Sequence, residues 1–163
     1  MDCVRGLQIL QNQPEVHPDR VAVAGGSQGG GLTLMTASVC DESVRVVAAH
    51  VPFLCHFDFV IEHAIETAPY VNLTRYLAEF PERREIARRT LSYFDPVNLV
   101  SRLRAPVLLT LGGRDTTCPR ETIEAVFEAV PGKKALLVEP DARHEWLDDT
   151  RTHLVSWLNH YLG

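Results

Sequence analysis

Val21-Ala22-Val23-Ala24 runs directly into Gly25-Gly26-Ser27-Gln28-Gly29-Gly30-Gly31, and no other segment limits so sharply what this chain can fold into. Four small apolar residues between turn signals are too few for a helix and suit a strand buried on both faces. Beyond the glycines an apolar pattern resumes, long enough for a helix over about 28–40. A buried strand that turns through glycine straight into a helix opens a βα unit, and such units build parallel sheets. The rest of the chain repeats the alternation. Strands are expected at 45–51 (RVVAAHV), 107–111 (VLLTL) and 135–139 (ALLVE), and helices at 3–12, 120–130 and 147–162. The reading is an α/β chain: a parallel sheet flanked by helices, with residues 1–163 forming part of one domain.

Between the second and third strands lies a long stretch without a strand signal. Phe57, Val60, Ile61, Ala64 and Ile65 recur at helical spacing, as do Leu73, Tyr76, Leu77 and Phe80, with Pro69 and Pro81 as punctuation. This predicts a helical insert over 56–94, a cap on one end of the sheet. Its apolar stripes read as packing that can also wall a substrate pocket. The charge run Glu82 to Arg89 reads as a solvated helix face rather than a phosphate site.

Composition removes several classes of function. A formal net charge of −5 offers no footprint for nucleic acid or an anionic membrane. No apolar stretch approaches the ~20 residues of a membrane span, and residues 1–20 lack a signal peptide's apolar core. Cys3, Cys40, Cys55 and Cys118 are scattered and form no CxxC pair, which points to thiols in a reducing compartment and a cytoplasmic location.

Gly25-Gly26-Ser27-Gln28-Gly29 fits G-x-S-x-G. A serine hydroxyl is a weak nucleophile, so it must stand clear of the backbone beside a base, and a sharp strand-to-helix turn achieves this. Small residues are expected two before and two after the serine, where strand and helix pass close together. Rival readings of the glycines fail on spacing. A P-loop requires Lys-Ser/Thr after its last glycine, where Leu32-Thr33 stands, and no start within 25–31 gives the dinucleotide pattern.

An elbow of this kind requires an acid and a histidine on loops after later strands, in that order. Asp115 follows the 107–111 strand and His144 follows the 135–139 strand. Asp141 is the competing acid, on the same loop as His144. The other histidines read as packing or surface: His17 in a turn, His50 at the end of an internal strand, His153 and His160 on the last helix. His56 and His63, read as sharing one helix face, lack a third metal ligand, and no metal or cofactor is expected. The chemistry this predicts is acyl transfer, with Ser27 as nucleophile, His144 as base, Asp115 as its orienting acid and the Gln28 backbone N–H as oxyanion donor.

With those residues placed, the chain resembles the acetyl xylan esterase/cephalosporin-C deacetylase family of α/β-hydrolases. The resemblance runs from residue 1 to 163 through GGSQGGG (25–31), VPFLCHF (51–57), TLSYFDPVNL (90–99), the Asp115 turn before Cys118-Pro119, and His144-Glu145. It implies a Ser27–Asp115–His144 triad and deacetylation of small substrates such as acetylated xylo-oligosaccharides or cephalosporins. It also implies an intracellular homo-oligomer when the complete domain is present. The chain departs from the pattern at Gly-Gly-Arg-Asp (112–115) and at Arg120. Family members further carry upstream chain with several sheet strands and a loop that supplies a second oxyanion donor.

Overall fold

In the computed structural model, which describes residues 2–163, the four apolar runs become four parallel strands in chain order. They are β1 (Ala22–Gly26), β2 (Val46–His50), β3 (Val107–Gly112) and β4 (Lys134–Glu139). Registers such as Ala24 with Ala48, Ala48 with Leu108 and Leu108 with Ala135 run straight across the sheet. Parallel neighbours cannot be joined by a hairpin, so each connection must cross over, and each carries helix. Helix α1 (Asp2–Gln11) precedes β1, and α2 (Gln28–Val39) links β1 to β2. Four helices lie between β2 and β3: α3 (Phe57–Glu62), α4 (Val71–Glu79), α5 (Arg84–Ser92) and α6 (Pro96–Leu99). Helix α7 (Arg120–Ala129) links β3 to β4, and α8 (Asp148–Leu162) closes the chain.

Alternation along the strands divides the core between the two faces of the sheet. Val47, Ala49, Val107, Leu109 and Leu111 pack with Leu34 and Ala37 of α2 and Ile123 and Val126 of α7. Ala48 and Leu108 point the other way, against Leu154, Trp157 and Leu158 of α8. The Trp157 indole N–H donates to the Val47 carbonyl at 3.2 Å, which ties α8 to β2. Every residue of β2 and β3 is buried, the pattern of central strands in a covered parallel sheet. Strand β1 pairs only with β2 among the described strands, and Ala24 in it is exposed. No described helix is long and apolar enough to cross a membrane.

The stretch between β2 and β3, where an insert over 56–94 was expected, carries α3 to α6, and its first helix is shorter than the apolar stripe. The α3 helix stops at Glu62, and Ala64 turns at φ 46°, so Ile65 belongs to the following loop. Phe57, Val60 and Tyr70 form a small separate core with Phe53, Leu73 and Leu91. The acidic and basic residues of α5 face outward, with Arg88 reaching Asp58 at 3.0 Å and Glu62 at 3.3 Å. The His56 and His63 rings both stack on Phe59, with centroids 5.7 and 4.1 Å from it. The two residues stand at opposite ends of α3, His56 in the left-handed region at φ 54° and His63 capping the C-terminus.

Asp95 ties the start of the helical insert to its end. It N-caps α6 ahead of Pro96, accepting from the Val97 N–H at 3.0 Å. The same carboxylate accepts from the N–H groups of His56 at 2.9 Å and Phe57 at 2.7 Å. Burial raises the Asp95 pKa, and these three hydrogen bonds oppose that rise.

Candidate active site

Strand β1 ends at Gly26, and the chain reverses at Ser27 with φ 52° and ψ −120°, a conformation that L-residues with side chains rarely hold. Three backbone hydrogen bonds hold it there. The Ser27 N–H donates to His50 O at 2.9 Å, and its carbonyl accepts from Gly31 N at 3.1 Å and Phe53 N at 2.9 Å. Close approach explains two of the glycines. A Cβ on Gly25 would lie 2.5 Å from the Gly29 carbonyl oxygen, and one on Gly31 would run into the Phe53 carbonyl. Gly29 differs from the expectation that both flanking positions must be small. A Cβ there meets nothing within 4 Å, because the strand residue points at the helix backbone while the helix residue points away.

The acid and base arrive on two loops joined by their backbones. Past the end of β3 and β4, Gly113 N–H donates to Glu139 O at 2.8 Å and Arg114 N–H to Ala142 O at 2.9 Å. Asp115 is buried. Its Oδ1 accepts from the N–H groups of Thr117 at 2.8 Å and Cys118 at 2.9 Å, which aims Oδ2 at His144 Nδ1, 2.8 Å away. His144 Nε2 lies 2.8 Å from Ser27 Oγ. The carboxylate can only accept, so the ring proton sits on Nδ1 and Nε2 is free to take the serine proton. Ser27, Asp115 and His144 are therefore brought together in the order their spacing predicts. Gln28 opens α2, so its N–H is one of the helix donors without an intrahelical acceptor, beside the nucleophile.

Asp141 is not the acid. It lies on the surface, paired with Arg114 at 2.7 Å. The thiol of Cys118 is close to both Asp115 and His144, with their ligand atoms within 4.8 Å of one another. Burial, then the charge of Asp115, push that thiol well up, which keeps it protonated and inert. The carboxylate and imidazole beside it are engaged with each other.

Two side chains near the site carry more than the sequence suggested. His50, read as packing, places its ring between β3 and the His144 loop. Trp146 stacks on that ring with centroids 3.8 Å apart, and its indole lies against Gly26. The signal available was a histidine at the carboxyl end of an otherwise apolar strand. From the helical insert, Thr67 Oγ1 donates to the Thr116 carbonyl, next to the acid. Hollows of 710 and 460 Å³ lie away from the triad, beside α1 and between α2 and Tyr93-Phe94.

Comparison with known proteins agrees with this arrangement. The acetyl xylan esterase (AXE1) family profile matches residues 1–161. Acetyl esterase Axe7A of Xylanibacter ruminicola is 31% identical over 156 residues, which span 96% of this chain and 34% of that protein. Acetyl xylan esterase 1 from Thermoanaerobacterium sp. JW/SL YS485 superposes with a TM-score of 0.91 at 32% identity, over 99% of this chain and 52% of its own. The acetyl xylan esterase from Paenibacillus sp. R4 gives a TM-score of 0.91 at 36% identity, over 98% of this chain and 51% of its own. The chain thus spans about half the length of these solved relatives and about a third of the curated one. Over that span it belongs to the acetyl xylan esterase family.

Proposed function

We propose that this chain carries the catalytic half of a serine carboxylic-ester hydrolase that removes acetyl groups from small substrates such as acetylated xylo-oligosaccharides or cephalosporins. The observation that carries the reading is the unbroken chain of two 2.8 Å contacts from Ser27 Oγ through His144 to Asp115. His144 Nε2 takes the Ser27 proton as Oγ attacks the ester carbonyl. The Gln28 N–H stabilises the oxyanion, and Asp115 holds the imidazolium. His144 then returns the proton to the departing alkoxide, leaving an acetyl-serine. Water, deprotonated by the same nitrogen, releases acetate and restores Ser27.

On this reading the helical insert walls the acyl side of the site, and acetyl fits best. Each methylene that does not fit costs about 1–3 kcal/mol. In a form of the protein with the complete domain, p-nitrophenyl acetate is expected to be favoured over the butyrate by at least about tenfold in kcat/KM. Equal or better turnover of the octanoate would point to a lipase-like site instead. The pH dependence follows from the base. A proton on His144 Nε2 removes the acceptor for the serine hydroxyl, so kcat/KM is expected to rise with pH. Burial lowers the pKa of His50, which favours its neutral ring. A flat profile between about pH 5 and 8 would rule out a histidine base.

A cytoplasmic location belongs to the same proposal, since the unpaired thiols of Cys3, Cys40, Cys55 and Cys118 suit a reducing compartment. So does a homo-oligomeric state of the complete domain. The open edge of β1 favours one further reading, in which the 163 residues are catalytically incompetent until an upstream half or a partner chain pairs with that strand.

A further inference from the structure

His50 closes a strand whose other residues are all apolar, and its ring is buried with both nitrogens engaged. Nε2 lies 3.0 Å from the Glu145 carbonyl oxygen, and Nδ1 lies 2.7 Å from Thr110 Oγ1. A carbonyl only accepts, so Nε2 carries the proton, and Nδ1 accepts the hydroxyl proton of Thr110. Thr110 Oγ1 in turn accepts from the Val51 N–H at 3.1 Å. The neutral imidazole satisfies this relay completely, and burial favours that form. The backbone of the same residue seats the nucleophile, because the His50 carbonyl accepts the Ser27 N–H at 2.9 Å.

The loop that carries His144 has little else to hold its far side. Before His144 it is joined to the acid loop through Arg114 N–H and Ala142 O. The Arg114–Asp141 ion pair is on the surface and screened by solvent. The Arg143 N–H bonds to Glu145 Oε1 within the loop itself. Immediately after His144, the tether to the sheet is the Glu145 carbonyl on His50, covered by the stacked Trp146.

We propose that His50 is a positioning residue for the ester hydrolysis proposed above: its carbonyl fixes the Ser27 turn while its ring fixes the His144 loop, so one residue sets the distance between nucleophile and base. The inference rests on that catalytic reading. Because a misplacement of about 1 Å can cost about 10²-fold in rate, loosening this tether acts on the chemical step rather than on substrate binding.

The test compares His50→Phe, which keeps a ring against Trp146 but removes both polar atoms, with His50→Gln, which retains an N–H able to reach the Glu145 carbonyl. After correction for the active fraction by fluorophosphonate titration, His50→Phe is expected to lower kcat on p-nitrophenyl acetate at least about tenfold with KM little changed. His50→Gln is expected to recover most of that loss. The downfield proton NMR resonance of His144 Nδ1–H is expected to persist in His50→Gln and to shift or broaden in His50→Phe. If His50→Phe does not fold, Thr110→Val, which removes the hydroxyl that donates to Nδ1, is expected to show the same pattern more weakly. A His50→Phe protein with unchanged kcat and an unchanged resonance would overturn the proposal, even if its melting temperature fell. All variants are compared in a form of the protein with the complete domain: if that form without substitution neither reacts with the fluorophosphonate nor hydrolyses the ester, the catalytic reading fails, and the NMR comparison still decides whether His50 positions His144.

Discussion

Ser27→Ala is expected to abolish both ester hydrolysis and covalent labelling by a fluorophosphonate probe in a complete form of the protein. Removing the nucleophile of a serine–histidine–aspartate site lowers kcat by about 10⁶, and the residue that remains reflects oxyanion stabilisation and binding alone. Here no substitute stands by. Among the described serines Ser27 is the one bonded to an imidazole, whereas Ser38 is buried and donates to the Leu34 carbonyl. The substitution removes one oxygen from a turn held by backbone bonds to His50, Gly31 and Phe53, so the melting temperature should change little. Stopped hydrolysis with an intact fold is therefore the expected result. Labelling of the mutant at the wild-type rate would show that another group is the nucleophile.

The second large effect concerns the 163 residues expressed by themselves. Strand β1 holds the elbow yet pairs with β2 alone, so the backbone groups along its other edge have no strand partner among the described residues. Such an edge is a template for association. Exposed apolar side chains extend the same liability, with Leu32 and Val39 on α2, Ile9 and Leu10 on α1, and Tyr93 and Phe94 beyond α5. On the proposed mechanism the Gln28 N–H is one oxyanion donor, and the family resemblance implies a second donor on upstream chain. Loss of one such donor costs about 10²–10³ in kcat. The 163-residue chain alone is expected to be associated or aggregated, and at least ~100-fold less active on p-nitrophenyl acetate than a form with the upstream half restored. Light scattering and parallel assays of the two forms make the comparison. A monodisperse 18.2 kDa monomer with full activity would show the upstream half to be dispensable.

The strands were legible because burial on both faces leaves short, continuous apolar runs. VVAAH and VLLTL are such runs, and both are fully buried. The meeting of Ser27, His144 and Asp115 was legible because an elbow implies a particular chain order for its partners, and a side chain larger than hydrogen does not fit at Gly25. What the sequence concealed was the non-local bonding. That VPFLCHF and TLSYFDPVNL occur together has a physical reason in Asp95, whose carboxylate holds the His56 and Phe57 N–H groups across 39 and 38 residues. No periodicity records such a contact. The same holds for His50, whose two ring partners lie 60 and 95 residues away. The end of α3 was missed because the apolar stripe through Ile65 continues past the residue, Ala64, where the backbone turns left-handed. Side-chain spacing is blind to that change.

The sheet is laid down in chain order, with Ser27 beyond β1, His50 closing β2, Asp115 beyond β3 and His144 beyond β4. Position in the sheet therefore equals time during synthesis. Ser27 leaves the ribosome 117 residues ahead of His144, an interval of roughly 6–23 s at about 5–20 residues per second. Throughout it the nascent chain presents a serine with no base, chemically no more reactive than any other hydroxyl. On the proposed mechanism the last loop completes the site, so interrupted translation products and chains clipped before residue 144 are expected to carry the elbow but to be inert.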